Sequence, residues 1–445
     1  MQALARGTVR YCFHVVLFYW VCFTFPFPLD LIGLPFQLVD ADDQPAWMKA
    51  AGVQYGEVYL WITRQKDQAC TRIGDRVLHV EVIIQPTGSG DTMRAYIGCL
   101  CAVVIAAVAA LSWTAILLLV QRRKPDWHAD EQLHGFVRVL VRFFLCEMLL
   151  GYGFAKVFPL QFPEPSSFRL AQPLGDMSPM GLLWTFMGYS PSYQSFTGAV
   201  EVLAGLLLTM RGTTLLGALI TVVGMTHVFA LNMCFDVPVK LYSFNYLMMA
   251  VFLVAPDLPR FVNVLMLGKA VESRPFTPLL GNIKFDRRAL VLRTLLVIAM
   301  GYGQFRGSYK RWNDMYNGPP SPVAGRWDVV SMQVDKKEPG KDDPVRWSWL
   351  DFSNRKYMRL AGPKPPTVVH MITWDAKEKK LTLAKVRTPT WSATFSYDLP
   401  DPDNLELKGS MDGKAISASL KRAPEKSYEL MNRGFHWIQE LPYNR

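Results

Sequence analysis

The sequence predicts a polytopic α-helical membrane bundle of about seven spans, followed by a small antiparallel β-domain. Three observations carry this. Half of the 445 residues are hydrophobic and the mean hydropathy is positive, unlike an ordinary soluble chain. Long apolar runs fill residues 1–306, whereas the rest of the chain is polar. The polar part alternates apolar and polar residues with the period of a half-buried strand.

With about 20 residues per crossing as the yardstick, the spans fall at 11–29, 95–120, 136–158, 195–210, 212–233, 240–256 and 288–306. The first, in MQALARGTVRYCFHVVLFYWVCFTFPFPLDLIG, has the arginines and apolar core of a signal peptide. It lacks a small-x-small cleavage site, and Pro26 and Pro28 break its core, so it is read as a retained span. The RGTT at 211–214 turns the chain between the fourth and fifth spans. Between the third and fourth lies SPMGLLWTFMG, with Ser178 as N-cap, Pro179 at the first helical position and Gly188 at the exit. That helix is too short to cross, so it lies in the interface or re-enters the membrane.

The bundle occupies residues 1–306, with an external loop at 30–94 that carries a strand in HVEVIIQ, and 307–324 form a linker. Basic residues set the orientation. Arg6, Arg10, the QRRK at 121–124, Arg211, Arg260 and the FDRR at 285–288 fall on one side of a seven-span arrangement. Loops rich in Lys and Arg stay cytoplasmic. The expected placement is therefore a multi-pass inner-membrane protein with a cytoplasmic N-terminus and a periplasmic or extracellular C-terminal domain.

The external domain, residues 325–445, reads as short strands: RWDVVSMQV, VRWSWLDFS, TVVHMITWD, KKLTLAKV, TWSATFSYD, NLELKGS and KAISASLK. DPDN and the Asp412–Gly413 pair supply turns, the latter a strong hairpin signal. Strands at this spacing without helices form a meander closing into a barrel or half-barrel. Gly325-Arg326-Trp327 resembles the GxW opening of lipocalin-like barrels, in which the Trp plugs one end.

Composition also excludes function classes. The net charge of +11 comes from scattered basic residues without a run of five like charges, so nucleic acid is not the partner. The seven cysteines form no CxxC and lie mostly in apolar runs as packing residues. The seven histidines are dispersed without metal-ligand spacing. GSGDT at 88–92 precedes a span instead of opening a phosphate-binding unit, which leaves Asp91 or Thr92 as an N-cap.

Polar side chains inside apolar spans are the candidate functional residues, because a charge there costs roughly 2.5–3.5 kcal/mol on insertion scales. They are His14, Arg142, Glu147, Lys156, Glu201, His227, Asn232, Asp236, Lys240 and Asn245. Arg142 and Lys240 sit near span ends and can reach the headgroups. Glu147 and Glu201 need a cation or a proton, and Glu147–Arg142 and Glu201–Lys156 pairs would supply the first. The sharper grouping is Lys156, His227 and Asn232. A lysine in a dry pocket becomes a usable general base, and an imidazole or amide could hold a substrate oxygen. Tyr152 shares the helical face of Lys156. The terminal NRGFHWIQELPYNR packs on the barrel or the membrane surface.

The stretches GYGFAKVFPLQFP, PLGDMSPMGLLWTFMGYSPSYQSFTGAVEVLAGLLL and HVFALNMCFDVPVKLYSFNYLMMAVFLVAPDL resemble the DoxX-like membrane proteins, four-helix bundles of bacterial membranes. The resemblance covers a core at 135–260. The segment is more distantly similar to the HTTM domain of vitamin K-dependent gamma-glutamyl carboxylase, where an aromatic-Gly-rich helix ends in a lysine that deprotonates the quinol. That resemblance implies Lys156 in the basic role, with His227 and Asn232 from THVFALN beside it. Carboxylation itself is not implied.

Two readings follow. In the first, the bundle binds a quinone or lipid and is a redox-linked, quinol-dependent enzyme or subunit, with Lys156 and His227 catalytic and Asn232, Tyr152, Glu147 and Glu201 binding substrate. In the second, the bundle is an anchor, and the external domain holds an apolar ligand or a protein partner. Quinone is the one cofactor the sequence raises, and the lipid bilayer is the common partner.

Overall fold

A computed structural model describes residues 2–40, 42–84, 88–120, 128–272, 283–317, 321, 323–352, 357–363, 367–385, 388–424 and 427–441. The chain divides into two compact units. The first comprises Met1–Gln161 and Ser192–Lys310, the second Phe162–Pro191 and Arg311–Arg445.

The helices run α1 Gln2–Thr24, α2 Leu34–Leu38, α3 Ala46–Ile73, α4 Met93–Val120, α5 His128–Val157, α6 Ser167–Ala171, α7 Pro179–Tyr189, α8 Pro191–Thr209, α9 Thr214–Cys234, α10 Lys240–Val254, α11 Leu258–Phe261, α12 Ile283–Tyr316 and α13 Glu429–Asn432. All seven apolar runs are helical. Four described segments are long and apolar enough to cross a membrane: Gly7–Leu38, Met93–Leu117, Thr214–Cys234 and Lys240–Met266. The count of seven is thus corrected on composition. α5 carries Asp130, Glu131, Arg138, Arg142, Glu147 and Lys156, α8 is short and holds Glu201, and α12 has many charges.

Residues 30–94 also differ from expectation. The long helix α3 fills the middle of this segment, and residues 79–84 form no strand. A strand needs an edge to pair with, whereas Val82 here packs beside Cys70 and Ile97 as a small apolar cluster. Thr92 caps α4, its hydroxyl accepting from the Ala95 N–H at 3.3 Å. Asp91 caps a different helix, accepting from the Lys240 and Leu241 N–H groups at the start of α10, each at 2.9 Å.

The core of the helical unit is built on a stripe of α5. Val137, Val141, Leu145 and Leu149 recur every fourth residue and are buried against Leu17 and Trp20 of α1, Leu208 of α8, Met225 of α9 and Met249 and Leu253 of α10. α5 and α8 approach closely because glycines face each other. A Cβ at Gly198 would lie 2.5 Å from the Gly153 carbonyl oxygen and 2.7 Å from the Lys156 Cβ.

In the second unit eight strands close a barrel in simple sequence order, every pair antiparallel. They are β1 Arg326–Val334, β2 Trp349–Asp351, β3 Tyr357–Ala361, β4 Val368–Asp375, β5 Lys380–Lys385, β6 Thr388–Asp401, β7 Asn404–Met411 and β8 Lys414–Arg422. Seven of them are the expected stretches, and β3 (YMRLA) is the addition. Asp412 and Gly413, with φ of 52° and 76°, make the primed turn that a two-residue hairpin demands. Large side chains fill the interior, among them Trp327, Trp347, Phe352, Met358 and Phe395. Trp327 is fully buried, donates from its indole N–H to the Val323 carbonyl at 2.9 Å, and lies under the Arg422 guanidinium at 4.3 Å.

In the same unit, Ser178 caps α7 by accepting from the Gly181 N–H at 3.1 Å, with Pro179 at its first position. Gly188 lies inside that helix. A Cβ there would meet the Pro163 carbonyl oxygen at 2.3 Å, so close approach rather than helix exit requires the glycine.

Candidate functional site

Lys156 lies seven residues beyond Leu149, almost two full turns along the core-facing stripe of α5, so the helix aims it inward. Glu201 of α8 meets it. The ammonium donates to both carboxylate oxygens at 2.6 Å, and both residues are buried, at 6 % and 7 % exposure. The Gly153–Gly198 contact brings the two backbones close enough for this pair to form. The Tyr152 ring, itself exposed, lies 6.0 Å from the Lys156 Nζ. Tyr152 is thus the solvent- or lipid-facing member in front of a dry ion pair.

The other predicted residues sit elsewhere. Asn232 is buried and donates to the Ser243 hydroxyl at 3.0 Å and toward the Val239 carbonyl at 3.4 Å, tying the α9–α10 corner together. His227 occupies an exposed face of α9. Neither shares a hydrogen bond with the Lys156–Glu201 pair among the described residues. Glu147 lies on another face of α5, nine residues before Lys156 and so about half a turn out of phase. Its Oε2 is buried without a hydrogen-bond partner among the described residues, as is Oδ1 of Asp30, whose charge acts on it.

Two expectations about basic residues are corrected. Arg142 does not reach for headgroups and does not pair with Glu147. It is buried and donates to the Leu208 and Thr209 carbonyls, both at 2.8 Å, capping the C-terminus of α8. Lys240 pairs with Asp236 at 2.8 Å and with Asp91 at 3.7 Å.

The structure adds a second buried polar cluster. Asp130 of α5 pairs with Arg10 at 2.7 Å through one oxygen and with His14 Nε2 at 2.9 Å through the other. His14 Nδ1 lies 2.7 Å from the Thr114 hydroxyl of α4. All four residues are buried. Arg10 and His14 are one turn apart on α1, so they share a face, and that spacing is the sequence signal for the cluster.

A helical unit with four described segments long and apolar enough to cross a membrane, followed in the chain by a closed barrel, defines the class of protein. The comparisons with known proteins place it further. The chain is 34 % identical over 134 residues to the uncharacterised protein YwoB of Bacillus subtilis, an alignment covering 30 % of this chain and 84 % of YwoB. The chain belongs to the same family as YwoB. No family model matches it, and no solved structure does either.

Proposed function

We propose that the helical unit binds an isoprenoid quinone or a lipid headgroup at the Lys156–Glu201 pair, and that Lys156 accepts a proton from the bound ligand. The observation that carries this is a buried ion pair on the core-facing stripe with an exposed aromatic, Tyr152, beside it. A buried pair adds little stability over an apolar replacement, so its retention invites a chemical reason. Transfer of a proton from Lys156 to Glu201 yields a neutral amine and a neutral acid. The amine can then take the proton of a quinol O–H, while Glu201 keeps the site electrically balanced. The resemblance to the HTTM lysine points the same way.

In this reading the protein is a multi-pass inner-membrane protein, and the buried charges of α5 and α8 are compensated by the Lys156–Glu201 pair and the Arg142 cap. The N-terminus is cytoplasmic and the barrel periplasmic, which reporter tags at the two termini would check by accessibility. Extraction of the detergent-purified protein should yield a quinone or a defined lipid. The double variant Lys156→Met with Glu201→Leu, which keeps the site filled, should lose it. Unchanged ligand content in the double variant would remove the pair from the site.

A second reading, a membrane-anchored assembly module, is favoured by one observation. The outward-facing Tyr357, Val369 and Met371 form an exposed apolar patch across β3 and β4, where Tyr357 pairs directly with Met371. The barrel interior is occupied by side chains, so this reading uses the outer wall and a protein partner. Charged substitutions at Val369 and Met371 should then abolish function and leave ligand content intact.

A further inference from the structure

The cysteines are dispersed along the chain, yet within the helical unit two of them meet. Cys70, near the C-terminus of α3, and Cys101, in the first part of α4, pack in one small apolar cluster with Ile97 and Val82. Among the described residues this is the one apolar cluster that brings two cysteines together. Cys70 is buried, Cys101 is half-buried, and both thiols are free. The corner that holds them is tight. A Cβ at Gly74 would meet Val82 Cγ2 at 2.4 Å and Ile97 Cδ1 at 3.4 Å, so the chain after α3 folds back against α4. The Arg94–Asp67 ion pair joins the same two helices beside it.

Cys99 faces elsewhere. A helix turns about 100° per residue, so Cys99 lies about 200° around α4 from Cys101. There it shares a hydrogen bond with the Tyr19 hydroxyl of α1. Burial raises the Cys70 thiol above its ordinary value and the Cys101 thiol adds to this, whereas the Arg94 and Lys66 charges favour the thiolate. We propose that Cys70 and Cys101 are a redox pair, which an organic disulfide oxidises to a covalent bridge between α3 and α4. The half-buried Cys101 is the point of entry. Its thiolate attacks one sulfur of the oxidant and expels the other as a thiolate. Cys70 then attacks the Cys101 sulfur and expels the second. Two protons and two electrons leave the pair, and the oxidant ends as two thiols. α4 is among the segments long and apolar enough to cross a membrane, and α3 is not, so the bridge pins a helix outside that set to one within it. It also closes residues 71–100 into a loop, which restricts the unfolded chain. The inference rests on the proposed placement only for where the oxidant is met, on the outer side of the membrane, where disulfides persist.

The full-length protein in detergent, incubated with oxidised glutathione and then alkylated in denaturant with N-ethylmaleimide, tests this. Digestion without reductant should yield a peptide linking Cys70 to Cys101, lost on reduction and more abundant than any other cysteine pair. Cys70→Ser should lose the bridge and hold one glutathione on Cys101, while Cys12→Ser, at an exposed position of α1, should keep the bridge. Hydrogen exchange in residues 66–80 and 90–98 should slow several-fold in the oxidised wild type against the reduced protein, with α9 and α10 unchanged. Wild-type protein in which both thiols still alkylate after oxidation, or in which Cys99 takes the place of Cys101, overturns the proposal. So does a bridge that leaves exchange in α3 unaltered. These readings come from the wild type, so they decide the matter even where a serine variant fails to fold. Tag accessibility at the termini tests the placement separately.

Discussion

The two buried ionic clusters of the helical unit differ in how many helices they join. Asp130 holds Arg10 on one oxygen and His14 on the other, and His14 reaches Thr114, so α1, α4 and α5 are locked by one carboxylate. Among the described residues Lys156 and Glu201 hydrogen-bond each other, across α5 and α8, with the Tyr152 ring 6.0 Å from the ammonium. A connected network fixes one arrangement, since shifting any helix strands several groups at once. An isolated pair can exchange a partner for a ligand at the cost of one interaction. The first cluster therefore resists rearrangement more than the second.

Removing the shared carboxylate should have the largest effect. Asp130→Ala removes the carboxylate that buried Arg10 and His14 share, a loss of about 3–5 kcal/mol for the ion pair and about 1–3 kcal/mol more for the imidazole nitrogen it faces. Thermal unfolding of the detergent-solubilised protein, followed by circular dichroism, should show a folded population lost well below the wild-type midpoint. A midpoint near wild type would mean that the cluster is not a lock.

Glu201→Ala comes next, with about 3–5 kcal/mol lost because Lys156 remains buried and unpaired. The combined Lys156→Met and Glu201→Leu change should recover to within about 1 kcal/mol of wild type, since apolar residues replace such pairs at little cost. A double variant as unstable as the single would make the pair structural, and the contrast between the clusters would collapse. Thr114→Val is milder. It leaves His14 Nδ1 without its hydroxyl neighbour, and about 1–3 kcal/mol should go, measurable by the same unfolding assay.

The sequence makes the backbone layout of this protein easier to read than its contacts. Seven apolar runs became helices and seven alternating runs became strands, because both periods are written locally. β3 was hidden because YMRLA is short and lies between turn-rich stretches. The span count failed for α5, α8 and α12, where length is adequate but charges break the apolar window. At the candidate site the Lys156–Glu201 pair was legible as a neutralising contact, since the seven-residue spacing from Leu149 keeps Lys156 on the core face. The grouping with His227 and Asn232 joined residues by depth alone. Depth says nothing about azimuth, and Asn232 turns to Ser243 instead.

The smallest effect belongs to the barrel and serves as a control on both clusters. His370 is buried, stacks on Trp391 at 5.1 Å, and has no hydrogen-bond partner on Nδ1 among the described residues. Burial, with Lys385 nearby, pushes its imidazole below the usual value. Above about pH 6.5 both folded and unfolded states are neutral there, and nothing is lost. Below it the unfolded chain takes up a proton that the folded barrel refuses, so stability falls with pH and levels off once the folded imidazole also protonates. Surface carboxylates such as Asp398, lowered by its hydrogen bond from Lys379, enter only below about pH 4. His370→Phe keeps a ring against Trp391 and removes the titration. The barrel's unfolding midpoint should drop slightly between pH 7.5 and 5.5 in the wild type and stay level in the variant. An equal drop in both would place the acid sensitivity on groups other than His370.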